Sequence, residues 1–437
     1  MRPVVSEAMV VGQATFLKTD KMVRLYLMWA TGLLVFYLVS PTISYLIFWG
    51  VLPKFRIVLV LGIPLVTALS FRFLLLTTGQ LPFRNRQLAL SYLLALWISM
   101  LQCLWFPTIS AQTSLEDFLA TIAFTFVGAW VMLLGGEALA YLVATQLSGL
   151  GWTALIVTYL SLAFTILNGV ARGFKLYGMF LFAFQDPVSR EVYNYLALAD
   201  SLAIAGLLLL GKPGWRAPYQ GFIFYIVTLF LLFFAYSRAS LFFFLFVGFI
   251  LLVLKFWSRR KQQLLLALFC AGIASLTVFL AQPNLARIGG SLVERGHLVL
   301  ERMSAPFIGS DLSLQIRLEL FRQGLRSLGQ HWLLGYFMNE VVEAGRGAYM
   351  HNWLSFWLAY GIGPFLLSIW LMFSLMARSW HQRKKNHLAL LAFCLLTFTL
   401  LVIVFARSYI WPYFWLGLGF TATVLHGNRE KKRQQHL

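Results

Sequence analysis

Acidic residues are scarce in this chain: 15 Asp and Glu stand against 35 Lys and Arg, and only 11% of its 437 residues are charged. Soluble proteins carry about 25% charged residues, so a water-covered globular surface is excluded for most of the sequence. Cysteine is almost absent. Cys103, Cys270 and Cys394 all lie inside apolar runs, which excludes a disulfide framework and a zinc site. Asp186, Glu191, Glu294, Glu301, Asp311, Glu319, Glu340 and Glu343 are scattered without metal-ligand spacing, and no glycine-rich phosphate loop is present. Neither a metal nor any other cofactor is expected. Internal repeats and low-complexity segments are lacking. A cleavable signal peptide is not visible either, because the first apolar run follows Lys18, Lys21 and Arg24 and is too long for a signal core.

What the chain has in abundance is apolar length. It is 60% hydrophobic, and runs of about 20 residues, enough to cross ~30 Å of hydrocarbon, recur along it. The pattern predicts an all-α membrane protein, a single polytopic domain over residues 1–437, with about 12 transmembrane helices. The expected spans are 25–50, 57–78, 88–108, 118–145, 152–170, 194–211, 220–237, 239–257, 263–281, 353–376, 388–406 and 412–426. Pro41 and Pro64 are expected to kink the first two. Spans 9 and 10 flank a long, partly helical loop, residues 282–352.

The formal net charge of +20 reads first as topology. Alternating the spans puts the N-terminal Lys18, Lys21 and Arg24, then Arg84 and Arg86, "SRRKQQ", "HQRKKN" and the tail "NREKKRQQ" all on one side, so both termini are expected in the cytoplasm. Lys54 and Arg56 are the exception. Because the basic residues are split among short loops, a nucleic-acid partner is not expected. The opposite face is basic as well: it receives Arg172, Lys175, Arg190, Arg238, Arg317, Arg322, Arg326, His351 and Arg407.

Several of these are candidates for chemistry. Arg238 sits in "FAYSRASLFFF", between two spans so close that the junction must be a tight turn; it is either an arginine snorkelling to the interface or an anion clamp aimed into a cavity. "LSLQIRLELFRQGLRSLGQHWLLG" predicts an amphipathic helix ending about Gly329, with Leu312, Ile316, Leu320 and Leu328 near helical spacing and Phe321 and Leu325 alongside. Arg322 and Arg326 read best as its solvated face toward headgroups. Arg317 lies in the half of the helix where the dipole disfavours a cation, and its planar fork suits phosphate oxygens.

His351 and Asn352 open the expected tenth span, "HNWLSFWLAYGIG". A lone histidine is more often structural than catalytic. At a helix N-terminus, though, the charged imidazolium is disfavoured, and a neutral ring can act as a general base or bind a sugar hydroxyl. Arg407 falls on the last outer turn among Tyr409, Trp411, Tyr413 and Trp415, either an aromatic belt or a carbohydrate contact. Residues 171–193 are too polar to span and too apolar for an ordinary loop, so a re-entrant or interfacial segment is expected, carrying Arg172, Lys175 and Arg190. The substrate should be anionic, lipid-borne and already activated; a lipid diphosphate fits, since arginines can hold its leaving group.

At these residues the chain resembles the O-antigen ligase and O-antigen polymerase superfamily of bacterial inner-membrane glycosyltransferases. The resemblance rests on "SRASL" at Arg238, "RLELFRQGLRSLGQHWLLG" from Arg317, "HNWLSFWLAYGIG" from His351 and "ARSYIWP" at Arg407, with "RGFKLYG" in a looser form; it covers mainly residues 165–415. It implies metal-independent, inverting glycan transfer from undecaprenyl diphosphate at the periplasmic face. The acceptor is lipid A–core for a ligase, or a second lipid-linked glycan for a polymerase. Arg238 and Arg317 would hold the diphosphate and His351 would activate or orient the acceptor. Arg172, Lys175, Arg190, Arg407, Asn352 and Arg322 would complete the substrate contacts. The ligase reading is preferred on the "HN" and "ARS" forms and on outer-face basicity, which suits a phosphorylated acceptor. The non-enzyme rival is a transporter of lipid-linked sugars, which would favour broken helices in two related halves.

Overall fold

The computed structural model describes residues 21–48, 51–52, 57–78, 85–114, 118, 121–145, 147–171, 184–185, 192–193, 195–213, 218–235, 237–255, 312–344, 350–384 and 386–434. The predicted span 263–281 and most of the loop 282–352 fall outside them. The described elements are α1 (Lys21–Leu38), α2 (Ser40–Phe48), α3 (Ile57–Thr77), α4 (Arg86–Gln112), a π-helical turn (Ala123–Val127) leading into α5 (Gly128–Ala144), α6 (Ser148–Ala171), β1 (Phe184–Gln185) and β2 (Val192–Tyr193). They continue as α7 (Tyr195–Leu210), α8 (Pro218–Phe234), α9 (Arg238–Lys255), α10 (Leu312–His331), α11 (Asn339–Ala344), α12 (Leu354–Tyr360), α13 (Ile362–Gln382), α14 (His387–Phe405) and α15 (Tyr413–Gln434).

Eight of the described helices are long and apolar enough to cross a membrane, which makes the chain a multi-pass, all-α membrane protein. Leu196–Leu210 and Tyr219–Phe234 are shorter apolar helices. The only strand pairing among the described residues is the two-residue antiparallel ladder of β1 and β2. The expected first span is interrupted at Val39: Pro41 falls in the first turn of α2, where a missing N–H breaks no helical bond. Pro64 and Pro107 lie inside α3 and α4.

Two compact units divide the chain. The first comprises Met1–Tyr37, Lys54–Ile156 and Glu319–Leu437. At its centre α5 is buried along almost its whole length and runs against α15. Glycines allow that approach: a Cβ on Gly136 would stand 2.7 Å from the Leu416 carbonyl oxygen. Around the centre the spans turn apolar side chains outward, as Ile63, Val66 and Phe73 do on α3, where lipid rather than water is the solvent. Asn85 caps α4 by accepting from the Leu88 N–H at 3.3 Å, and its amide donates to Ala422 O of α15 at 2.7 Å.

The same unit buries one carboxylate, Glu137, at 1% exposure. Four donors from three other helices meet it. Arg72 of α3 donates from Nε to Oε2 at 2.9 Å and from Nη2 to Oε1 at 3.4 Å. Tyr26 of α1 donates to Oε2 at 3.4 Å, and Tyr92 of α4 donates to the same oxygen. The Arg72 guanidinium also stacks over the Tyr92 ring at 3.6 Å from its centre. The carboxylate is thus charge-compensated and hydrogen-bonded from several sides, the condition under which a buried ion pair is tolerable.

The second unit comprises Leu38–Pro53 and Val157–Leu318. Here α7 packs against α2, α8 and α9. A Cβ on Gly206 would stand 2.8 Å from the Thr228 methyl, so α7 and α8 meet closely. Hydroxyls join the elements: Tyr159 with Thr228 at 2.9 Å, Thr165 to Thr42 at 2.8 Å, and Tyr225 to the Leu245 carbonyl at 2.6 Å. Lys255 donates to Leu210 O at 2.9 Å and Lys212 O at 2.7 Å, a cation at the C-terminal end of α7, where the helix dipole favours it.

Replacing Glu137 by Ala strands Arg72 without its counter-charge. The expected loss is about 3–5 kcal/mol of stability. Thermal denaturation of the purified protein in detergent checks this. A wild-type melting temperature for Glu137→Ala would mean that the pair does not hold the first unit together.

Candidate functional site

The site-bearing segment of the first unit begins where α10 ends. Gly335 donates its N–H to His331 O at 2.9 Å, Tyr336 donates to Leu358 O at 2.7 Å, and Ile362 donates to Trp332 O at 3.1 Å. The indole of Trp357 also donates to Trp332 O, at 2.7 Å. Residues 332–336 are thereby laced to residues 357–362 through backbone groups. Both crossing points are glycines at positive φ, Gly335 at 69° and Gly361 at 80°. A Cβ on Gly335 would stand 2.6 Å from Tyr360 N, and one on Gly361 would stand 2.7 Å from Leu334 C, so no other residue fits at either point.

This crossing alters the expected tenth span. The predicted continuous helix over 353–376 is broken at Gly361 into the short α12 and the long α13. His351 precedes α12 by three residues rather than opening a membrane-crossing helix.

The predicted amphipathic helix is present as α10. Its buried stripe differs from the expected one: Ile316 and Leu325 are exposed, whereas Leu328 packs with Met350 and Leu358, joined by Phe321, Leu354 and Trp357. Gly324 lies against the Met350 side chain. The helix is therefore docked on the residue that immediately precedes His351. Arg317 stands one turn before Phe321 on the stripe that continues through Gly324 and Leu328, and is half-buried. Arg322 and Arg326 are exposed; Arg322 Nη1 lies 3.7 Å from Glu319 Oε2, a solvated surface pair.

Asn352 organises the start of α12. Its Oδ1 accepts the Leu354 N–H at 3.0 Å and its carbonyl accepts the Ser355 hydroxyl at 2.7 Å. Ser355 Oγ in turn accepts the Tyr409 N–H at 2.8 Å. The turn that carries Arg407 is thus stapled to the segment that carries His351 and Asn352. Arg407 is 6% exposed and donates from Nη1 to Ala406 O at 3.1 Å. Around this junction Tyr409 meets Tyr360 edge-on, with ring centres 5.7 Å apart, and Phe337 stacks on Tyr360 at 5.9 Å.

Two buried acids, one in each unit, were not singled out by sequence reasoning. Glu340, in the first turn of α11, is 9% exposed and accepts the Met350 N–H on Oε1 at 2.5 Å; its Oε2 has no partner. Burial pushes its carboxyl up to about 8 against the Met350 N–H, which favours the anion, and the nearby Glu343 adds to the rise. Asp200, in the second unit, is 1% exposed on α7 and accepts from the Ser240 hydroxyl, which lies 2.7 Å from Ser237 Oγ. Ser237 and Ser240 flank Arg238, which is half-buried at the start of α9. A lone acid within the apolar run "LALADSLAIAG" was the available signal for Asp200. Glu340 had none, since it looks like one of several loop acids.

Of the nine candidate residues, the structure brings together the segments of His351, Asn352 and Arg407 in the first unit. Arg238 and Arg317 belong to the second unit. Arg172, Lys175 and Arg190 lie outside the described residues. Among the described residues no group of three or more His, Cys, Asp or Glu is placed to hold a metal ion. No protein-family model matches this chain, and no curated protein matches it.

The Glu340 carboxyl makes a pH prediction. In the unfolded chain it loses its proton near 4.5; in the fold it keeps it up to about 8. The folded state binds the extra proton between those values, so the stability it contributes is complete below the lower one and is lost as pH rises through the upper one. Glu340→Gln cannot titrate. The variant should show a shallower fall in melting temperature between about pH 5 and pH 8.5 than the wild type. Parallel profiles would contradict the buried-acid assignment.

Proposed function

We propose that this protein is a lipid-linked glycan transferase of O-antigen ligase type. It moves a glycan from undecaprenyl diphosphate onto lipid A–core at the periplasmic face of the bacterial inner membrane, without a metal and with inversion. In this reading the chain crosses the membrane about twelve times with both termini cytoplasmic. The loop 282–352 is periplasmic.

The observation that carries the proposal is the Ser355 staple, which joins the His351–Asn352 segment to the Arg407 turn across more than fifty residues of sequence. A histidine, an amide and a buried arginine then share one junction with an aromatic wall. That set suits an acceptor hydroxyl and an anionic group together. The packing of Phe321, Gly324 and Leu328 on Met350 supports the same reading, because it fixes the segment that leads into His351. Arg317 and Arg238 hold the diphosphate leaving group as a charge-assisted fork. His351 takes the proton of the acceptor hydroxyl as that oxygen bonds to the anomeric carbon and the diphosphate leaves. Arg172, Lys175, Arg190, Arg407, Asn352 and Arg322 supply further substrate contacts.

Within the same family, a polymerase joining lipid-linked repeat units uses the same donor chemistry with a second lipid-linked glycan as acceptor. A transporter of lipid-linked sugars is the rival class, and the Arg72–Glu137 pair buried among the spans is the observation that favours it.

Complementation of a ligase-deleted strain tests the proposal. The wild-type chain should restore capped, long-chain lipopolysaccharide, and Arg317→Ala should leave the core uncapped with polymer accumulating on the carrier. Full capping by Arg317→Ala removes that residue from the diphosphate site. Core capped with a single repeat in a strain deleted for this chain identifies a polymerase instead.

A further inference from the structure

The region around His351 contains three buried polar groups that the chain does not satisfy. Asn339 Nδ2, Glu340 Oε2 and Trp353 Nε1 have no hydrogen-bond partner, and their residues are 4%, 9% and 8% exposed. They are tied to one place. Asn339 and Glu340 are adjacent on α11. Glu340 Oε1 holds the N–H of Met350 at 2.5 Å, the residue before His351. Trp353 is two residues after His351, and its ring stands edge-on to Phe365 at 6.1 Å. Met338, the residue before Asn339, is completely buried and held at φ 62°, a conformation that an unbranched non-glycine residue adopts only where its surroundings impose it.

An unmade hydrogen bond at a buried donor or acceptor costs about 1–3 kcal/mol. Three such costs within fifteen residues are a large fraction of a typical stability. They contrast with Glu137, whose carboxylate in the same unit is met from every side. Water or a ligand is what these groups can still take as partners. The chemistry of the three groups defines them: an amide N–H, an indole N–H and a carboxyl oxygen, with no cation among them. Such a set recognises a neutral, hydroxyl-rich molecule.

We propose that Asn339, Glu340 and Trp353 form a hydroxyl-binding subsite beside His351 that takes a sugar residue of the acceptor glycan. This deepens the transferase reading and rests on it for the word acceptor. The subsite itself is defined by the three groups alone. In use, Glu340 Oε1 keeps Met350 in place while Oε2, Asn339 Nδ2 and Trp353 Nε1 exchange hydrogen bonds with sugar hydroxyls, presenting one further hydroxyl to His351.

The test separates acceptor from donor. Transfer is measured with the full-length protein in detergent, varying lipid A–core and the diphosphate-linked glycan in turn. Trp353→Phe removes the indole N–H together with the five-membered part of the ring, and Glu340→Leu removes both carboxyl oxygens. Each should raise the acceptor KM about tenfold, equal to ~1.4 kcal/mol, with the donor KM unchanged. Glu340→Gln, which still accepts from Met350 and still offers a polar group to a hydroxyl, should raise the acceptor KM less than Glu340→Leu does. An unchanged acceptor KM in both Trp353→Phe and Glu340→Leu means that trapped water alone meets the three groups, and overturns the proposal. If the wild type transfers nothing, the transferase reading fails on its own. The subsite is then read by calorimetric titration with lipid-free, neutral core oligosaccharide. Heat of binding in the wild type that Trp353→Phe abolishes upholds the subsite, and no binding to the wild type overturns it.

Discussion

The backbone crossing of Gly335 and Gly361 is the constraint on which the candidate site depends. Two peptide segments pass at a distance that excludes a Cβ on either, each in a positive-φ conformation, and their N–H and carbonyl groups satisfy one another. The crossing stops α12, starts α13, and closes the chain from Trp332 to Ile362 into a loop. Inside that loop lie Glu340, His351, Asn352 and Ser355. Non-helical backbone beside membrane spans is tolerated only where protein or water covers it, so this fold commits the region to something other than crossing lipid. The α10 helix, docked through Leu328 on Met350, supplies part of that cover.

Two buried glutamates in one unit show how differently the same side chain is used. Glu137 sits among the spans and collects an arginine and two tyrosines from three helices, so it is fixed and fully compensated. Glu340 sits outside the spans with one hydrogen bond and one bare oxygen. The first is an arrangement for holding helices together; the second leaves hydrogen-bonding capacity unspent beside the backbone of Met350, the residue before His351.

Much of the architecture was legible from hydropathy, because the bilayer imposes a length on each apolar run. The spans at α3 to α6, the tight turn at Arg238, the helix now seen as α10 and the break beside Pro41 all follow from local composition. The division at Gly361 was legible only in part: Gly361, Gly363 and Pro364 allow close packing or a kink in that span, but not a full break. A hydropathy window averages over about 19 residues, and one glycine at positive φ does not change the average. The buried stripe of α10 was also legible in part. Of the expected face, Leu328 and Phe321 do pack on the short segment around Met350, joined there by Gly324, whereas Ile316 and Leu325 are exposed. Of the candidate site, His351, Asn352 and Arg407 were visible as motif residues, while the serine that joins their segments was invisible, since Ser355 looks like any hydroxyl in an apolar helix. Glu340 acquires meaning only from burial, which no single sequence displays, whereas Asp200 was signalled by its place in an apolar run.

The account's central claim is that the chemistry occurs at the His351 junction rather than along a path through the spans. Transfer and transport separate cleanly once the membrane is removed. The most direct measurement is therefore glycan transfer by the purified protein in detergent, without vesicles, using a polyprenyl-diphosphate-linked glycan and lipid A–core, for the wild type and His351→Ala. The account predicts product formation by the wild type and a fall of at least about a hundredfold in kcat for His351→Ala, the scale on which a general base contributes. No product in detergent, together with movement of the lipid-linked glycan across reconstituted vesicles, would contradict it.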